Sequence, residues 1–106
     1  MEIWTLKEMR GGWIVGDFDP CVLRTSEFEV AVKEYEAGTI EPAHHHKIAE
    51  EITVIASGKA RMCDTILTAG TVIRLAPGES TSFEAIEKTI TVVVKRPSIP
   101  NDKYLD

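Results

Sequence analysis

All three histidines of the chain and two adjacent carboxylates fall within eight positions, in the stretch EPAHHHKIAEEITVIASGK from Glu41 to Lys59. Neutral imidazole and carboxylate are the side chains that hold divalent transition metals, so their spacing decides whether they can act together. In an extended chain, side chains alternate between faces, which sends His44 and His46 one way and His45 the other. At about 3.3 Å per residue the alternate pair stands about 6.5 to 7 Å apart, close enough for two rings to lean onto one ion with metal–nitrogen bonds of about 2.1 Å. Glu51 has the wrong parity in an unbroken strand, but a turn or bulge in KIAE would reset the register and bring its carboxylate round. Two histidines and one carboxylate on one side of an ion leave three octahedral positions open, the arrangement associated with Fe(II) and accepted also by Mn, Ni and Zn. The competing reading of an H-x-H pair is a polar strand whose histidines face water. His45 and Glu50 project opposite to the candidate ligands and are expected on the surface; a slip of one residue would exchange the two sets.

Such a site needs strands to hold it. Turn signals recur about every ten residues: Gly11-Gly12, Asp19-Pro20, Gly38, Ser57-Gly58, Ala69-Gly70, Pro77-Gly78 and Pro97. Between them lie WIVGDF, FEVAVKEYE, EITVIAS, TVIRLA and TITVVVK, rich in β-branched and aromatic residues. This pattern predicts an all-β sandwich or barrel of roughly five to eight strands. ITVIA and ITVVV are apolar on both faces, so both sides of those strands should be covered, by the interior and by a subunit contact. A helix competes over Ile48, Ile52 and Ile55, whose spacing is helical, but Thr53, Val54 and Ile55 crowd a helix and Pro42 and Gly58 bracket the segment closely.

Further residues could line a pocket. Arg61 and Cys63 alternate with Met62 on the strand after Gly58. An inward Arg61 would hold an anionic substrate, whereas an outward one is an ordinary surface charge, the favoured reading. Pro77-Gly78 suits a type II turn. Trp4 and Trp13 are expected in the core, and Tyr104 either pins the tail RPSIPNDKYLD to the body or leaves it mobile.

The bulk numbers exclude several classes. A chain of 106 residues holds one core, and a 43% hydrophobic share with 27% charged residues is ordinary for a globular domain. No apolar run approaches the roughly 20 residues of a membrane-spanning helix, so no membrane partner is expected. A formal net charge of −5 with scattered lysines and arginines argues against nucleic acid. The start MEIWTLKEMR lacks the features of a secretory signal, and Cys21 and Cys63 are too far apart in sequence for a C-x-x-C pair. Free thiols, both expected to be small buried residues, and a cytoplasmic location follow.

Gly38, His44, His46, Glu51 and Gly58 fall at the spacing G-x5-H-x-H-x4-E-x6-G, which resembles the first motif of the cupin superfamily. The second cupin motif is matched partly by GTVIRLAPGESTSFEA. Gly70 and Gly78 are in place, Ala76 takes the proline position with Pro77 beside it, Thr81 stands for the last metal histidine, and Ala85 for the terminal asparagine. Together with APGESTSFEA and VVVKRPSIPNDKY, the chain is similar to small single-domain cupins of unassigned function over most of residues 28–104.

The resemblance implies an all-β, jelly-roll-like double-stranded β-helix barrel forming one domain over 1–106. Residues 1–27 would be N-terminal strands or arm, 28–95 the barrel core and 96–106 the C-terminal tail. It implies a homodimer and a divalent metal ion (Fe, Mn, Ni or Zn) on His44, His46 and Glu51. Affinity would be reduced because Thr81 replaces the fourth ligand. By the same alignment Thr81 and Phe83 face the interior, Thr81 bonding either a ligand or a local backbone group. A metal-dependent enzyme on a small polar substrate is the leading expectation. The alternatives are a non-catalytic module that captures a sugar or organic acid, and a dimerising scaffold without a pocket.

Overall fold

The computed structural model describes residues 1–106. Its only helix is a single 3-10 turn, Leu6–Glu8. Eleven strands follow: β1 (Trp13–Gly16), β2 (Leu23–Arg24), β3 (Glu29–Tyr35), β4 (Ile40–His45), β5 (Glu50–Ser57), β6 (Lys59–Met62), β7 (Thr65–Thr68), β8 (Val72–Leu75), β9 (Thr81–Ala85), β10 (Thr89–Arg96) and β11 (Tyr104–Leu105). They exceed the expected five to eight because β2 and β11 have two residues each and β6 and β7 four, too few to show a period of two. The segment with helical isoleucine spacing is strand, so its β-branched residues outweigh the spacing.

The strands form a six-stranded sheet ordered β2-β1-β3-β10-β5-β8 and a five-stranded sheet ordered β11-β4-β9-β6-β7. The fold is an all-β double-stranded β-helix whose two sheets face each other without closing into one hydrogen-bonded barrel. Ile55 from the first sheet packs with Ala60, Met62, Phe83 and Ala85 from the second, and Tyr35, Leu67, Ile73 and Leu75 lean on this cluster. Gly58 joins β5 to β6 at φ +90°, and a Cβ there would stand 2.2 Å from the Lys88 carbonyl oxygen, so the turn admits only glycine.

Three strands of the six-stranded sheet set the interior. β10 pairs antiparallel with β3 and with β5, aligning Lys95 with Glu29 and Glu51, Val93 with Ala31 and Thr53, and Thr91 with Lys33 and Ile55. Inward rows therefore cross the sheet, with Lys95, Glu29 and Glu51 at one end and Thr91, Lys33 and Ile55 further along.

Residues 1–27 contribute β1 and β2 to the six-stranded sheet. Two expectations are corrected at the periphery. Cys63 is exposed and Cys21 half-buried, so neither is a core residue; Cys63 sits at φ +48°, where the chain leaves β6. Trp4 is exposed, while Trp13 is half-buried.

Candidate functional site

A cavity of about 360 Å³ opens between the sheets, and His44, His46, Glu51, Thr81 and Phe83 all line it. Local irregularities bring the first three together. The β4–β9 register shifts between Glu41 and His44, so these two residues, three apart in sequence, both face inward. Beyond β4 the chain bends at Lys47 and Ile48 before β5 begins, and this bend resets the parity of Glu51.

The bend is organised by a residue from the far end of the chain. Asp102, 6% exposed, accepts the N–H of Ala49 at 2.9 Å and those of Ile48 and Lys47 at 3.2 Å. Burial opposes its ionisation, but these N–H groups more than offset that and hold the carboxyl below its ordinary value. The Asp102 carbonyl accepts from His46 Nδ1 at 2.9 Å, while the Gly78 N–H, from the Pro77-Gly78 turn, donates to the His46 carbonyl at 2.6 Å. With Gly78 at φ +87°, that turn has the left-handed residue expected of it. His46 is thus clamped at ring and backbone, and the tail is part of the site.

Carbonyl partners also fix the tautomers. An oxygen acceptor places the proton of His46 on Nδ1, and the Pro42 carbonyl, 3.1 Å from His44 Nδ1, does the same for His44. Both Nε2 atoms keep a lone pair. The two rings stand edge to face with centroids 5.5 Å apart, and His46 Nε2 lies 3.7 Å from Glu51 Oε1. Burial, with Lys95 adding to it, lowers the His46 pKa and favours the neutral ring. Thr53 donates to the other Glu51 oxygen at 3.2 Å, and Lys95 pairs with Glu29 at 2.8 Å. As the side chains stand, no three His, Cys, Asp or Glu groups close on one point tightly enough to hold a metal ion.

Thr81 is buried, and its hydroxyl donates to the Ser82 carbonyl at 2.8 Å, the local backbone role. Arg61 and Cys63 lie outside the cavity. On β6 the inward positions are Ala60 and Met62, so Arg61 projects outward to pair with Glu84 at 2.7 Å, and the Cys63 thiol lies 3.4 Å from the Ser80 carbonyl and the Thr81 hydroxyl. His45 faces away as expected, stacked on Tyr104 and 2.7 Å from Asp106. Glu50, also outward, meets Arg74 at 2.8 Å and Arg96.

Sequence reasoning missed Lys33, Tyr35 and Glu41. Tyr35 donates to Glu41 at 2.8 Å, and burial, then the Glu41 charge, pushes its pKa far above the usual phenol value. The signal was present in FEVAVKEYE, where the inward set Glu29, Ala31, Lys33, Tyr35 is more polar than the opposite set Val30, Val32, Glu34. Both Lys33 and Lys95 hold their ammonium groups over the Trp13 ring, at 5.2 and 4.8 Å.

No protein-family model matches the chain, and no curated protein does. Solved structures do. An uncharacterised conserved protein with a double-stranded β-helix domain from Klebsiella pneumoniae is 24% identical, with a TM-score of 0.72 over 97% of this chain and 89% of its own. An RmlC-like cupin from Shewanella frigidimarina is 15% identical, with a TM-score of 0.67 over 73% of this chain and 72% of its own. Oxalate decarboxylase from Bacillus subtilis is 18% identical, with a TM-score of 0.68 over 76% of this chain but only 24% of its own. At these identities the likeness establishes the fold alone, a double-stranded β-helix.

Proposed function

We propose that this protein, a double-stranded β-helix with the cupin fold, is a metal-dependent enzyme on a small polar substrate, with His44, His46 and Glu51 as the protein ligands. The observation that carries the reading is the meeting of His46 Nε2 and Glu51 Oε1 at 3.7 Å. With the His46 proton on Nδ1, two lone-pair atoms confront each other there, an arrangement a cation relieves, and the His44 ring stands beside them. Neutral imidazoles with a carboxylate are a fitting donor set for Fe, Mn, Ni or Zn. A bound divalent ion would supply a Lewis acid with open positions for substrate. The chain's own groups do the rest: Asp102 fixes the His46 ring, Thr53 holds Glu51, and Glu41, steadied by Tyr35, offers a carboxylate to a substrate proton. The paired rings of Tyr35 and Phe83, centroids 4.5 Å apart, line that end of the cavity. That an oxalate decarboxylase shares the fold supports an enzyme reading.

The second reading, a non-catalytic module for a sugar or organic acid, is favoured by the open spacing of the donors and by Thr81 in the fourth ligand position. Elemental analysis of protein purified without a metal-affinity tag separates the two. The enzyme reading expects stoichiometric Fe, Mn, Ni or Zn that both His44→Ala and His46→Ala lose. Metal-free protein that small ligands still stabilise would favour the binder.

A cytoplasmic homodimer completes the proposal. Both cysteines are free, and no helix is long and apolar enough to cross a membrane. Ile52, Val72 and Val94 are exposed on the outer face of the six-stranded sheet, which a partner would cover. Light scattering that returns a monomer at micromolar concentration would remove the dimer.

A further inference from the structure

Four threonines point inward, and three have hydrogen-bond partners. Thr53 donates to Glu51, Thr81 to the Ser82 carbonyl, and Thr89 to the Lys59 and Glu87 carbonyls at 3.0 and 2.9 Å. Thr91 is the exception. It is 1% exposed, it lines the cavity, and its Oγ1 is the one buried side-chain polar atom without a hydrogen-bond partner. A buried hydroxyl left so costs about 1–3 kcal/mol, whereas valine, which occupies the next inward position at 93, would not incur that cost.

Directly across the ladder from Thr91 stands Lys33. Of the other charges near it, Lys95 pairs with Glu29, Glu41 accepts from Tyr35, and Glu51 faces His46 and Thr53, while Lys103 and Arg10 line the same cavity without an ion pair. Lys33 has none of the chain's ion pairs, and burial lowers its pKa. Its ammonium is directed over Trp13, within the cavity.

We infer that Lys33 and Thr91 form a subsite for a carboxylate group, which makes the substrate a small organic acid whose other polar end lies at His44, His46 and Glu51. The second half of this statement rests on the function proposed above; the first half does not. One ammonium and one hydroxyl offer donors to the two oxygens of a carboxylate. A phosphate dianion asks for more donors, and Glu41 and Glu51 line the same cavity. The Thr91 row lies four residues along β10 from the Lys95–Glu51 row, about 13 Å at 3.3 Å per residue. Long side chains from both ends shorten that gap to the length of a small molecule, and about 360 Å³ accommodates one.

The test is calorimetric titration of the full chain, chelator-treated and metal-replete in parallel. The probes are malonate, succinate and glutarate, their neutral diamides, and inorganic phosphate. At least one dicarboxylate should bind where its diamide does not, with Kd raised at least about ten-fold in both Lys33→Met and Thr91→Val. Thr91→Ser, which keeps the hydroxyl, should stay within about three-fold of the parent. Neither change threatens folding, since one removes a buried cation that has no ion pair and the other an unpaired hydroxyl; thermal melts of each variant check this. Three results overturn the subsite: no dicarboxylate bound in preference to its diamide, a Thr91→Val affinity equal to the parent, or phosphate bound as tightly through the same two side chains. Metal content read on the same samples keeps the two proposals apart. Lys33-dependent binding in metal-free protein sustains the subsite even if the metal reading falls, and retained metal with binding indifferent to Lys33 overturns the subsite alone.

Discussion

Strands β5, β9 and β10 line the interior, and their inward side chains change character along each strand. At one end β5 offers Glu51 and Thr53, β9 offers Thr81, and β10 offers Lys95; at the other end the same strands offer Ile55, Phe83 with Ala85, and Thr89. The closed end is an apolar cluster around Ile55. The open end is a set of charged and titratable groups whose positions depend on a bend, a bulge and a tail residue. A period of two puts a side chain inside; it says nothing about whether that side chain is there to pack or to react. The closed end draws its stability from burial, and the open end its geometry from hydrogen bonds to backbone.

Substitutions at the two ends should therefore fail differently. Ile55→Ala, at a fully buried position, should cost about 2–5 kcal/mol in urea unfolding, while the folded fraction keeps its full metal content. Loss of metal in proportion to stability would mean that the ends are not separable. Asp102→Ala should cost less, about 1–3 kcal/mol, but should lower metal affinity about 10- to 100-fold, because three N–H groups lose the carboxylate that anchors the bend before Glu51 and, with it, the placement of the Asp102 backbone carbonyl that holds the His46 ring. The depressed Asp102 pKa stabilises the fold above the unfolded value of about 3.9 and stops doing so as pH falls through the folded value. The stability gap between the parent and Asp102→Asn should accordingly narrow below about pH 4.

That tail residue marks where the sequence stops being readable. The parity of His44 and His46, the outward His45 and Glu50, and the need for a turn before Glu51 all follow from side-chain alternation, a local property. Asp102 is fifty-three residues from the N–H of Ala49 that it accepts, and an Asp between two loop residues gives no local sign of such a partner. Alternation couples Arg61 to Cys63, but the parity of β6 turns Arg61 outward, the favoured reading, and Cys63 lies past the strand's end at φ +48°. Lys33 is legible in principle, since a lysine at an inward position of a strand whose outward residues include Val30 and Val32 is an anomaly, but β-propensity alone does not expose it.

Smaller effects sharpen the contrast further. Lys33→Met should leave stability unchanged or higher at neutral pH, because it removes a cation that burial penalises. Between the lowered folded pKa and the unfolded value of about 10.4, the unfolded chain binds more protons, so the parent should gain on Lys33→Met as pH rises through that interval. The charges that bias this titration are Glu41 and Glu51 on one side and Lys95 and Lys103 on the other. A falling difference would contradict the placement of Lys33. Arg61→Ala, which breaks an exposed pair with Glu84, should change stability by less than about 1 kcal/mol and leave metal content and ligand affinity untouched. A larger effect on ligand affinity would put Arg61 back into the site.

The central claim is that two imidazoles and one carboxylate share a single ion inside the cavity. Anomalous diffraction from crystals of metal-replete protein tests it most directly. The account predicts one strong peak within about 2.0–2.3 Å of His44 Nε2, His46 Nε2 and a Glu51 oxygen. A peak only at the surface pair His45 and Asp106, or none in the cavity, would contradict it.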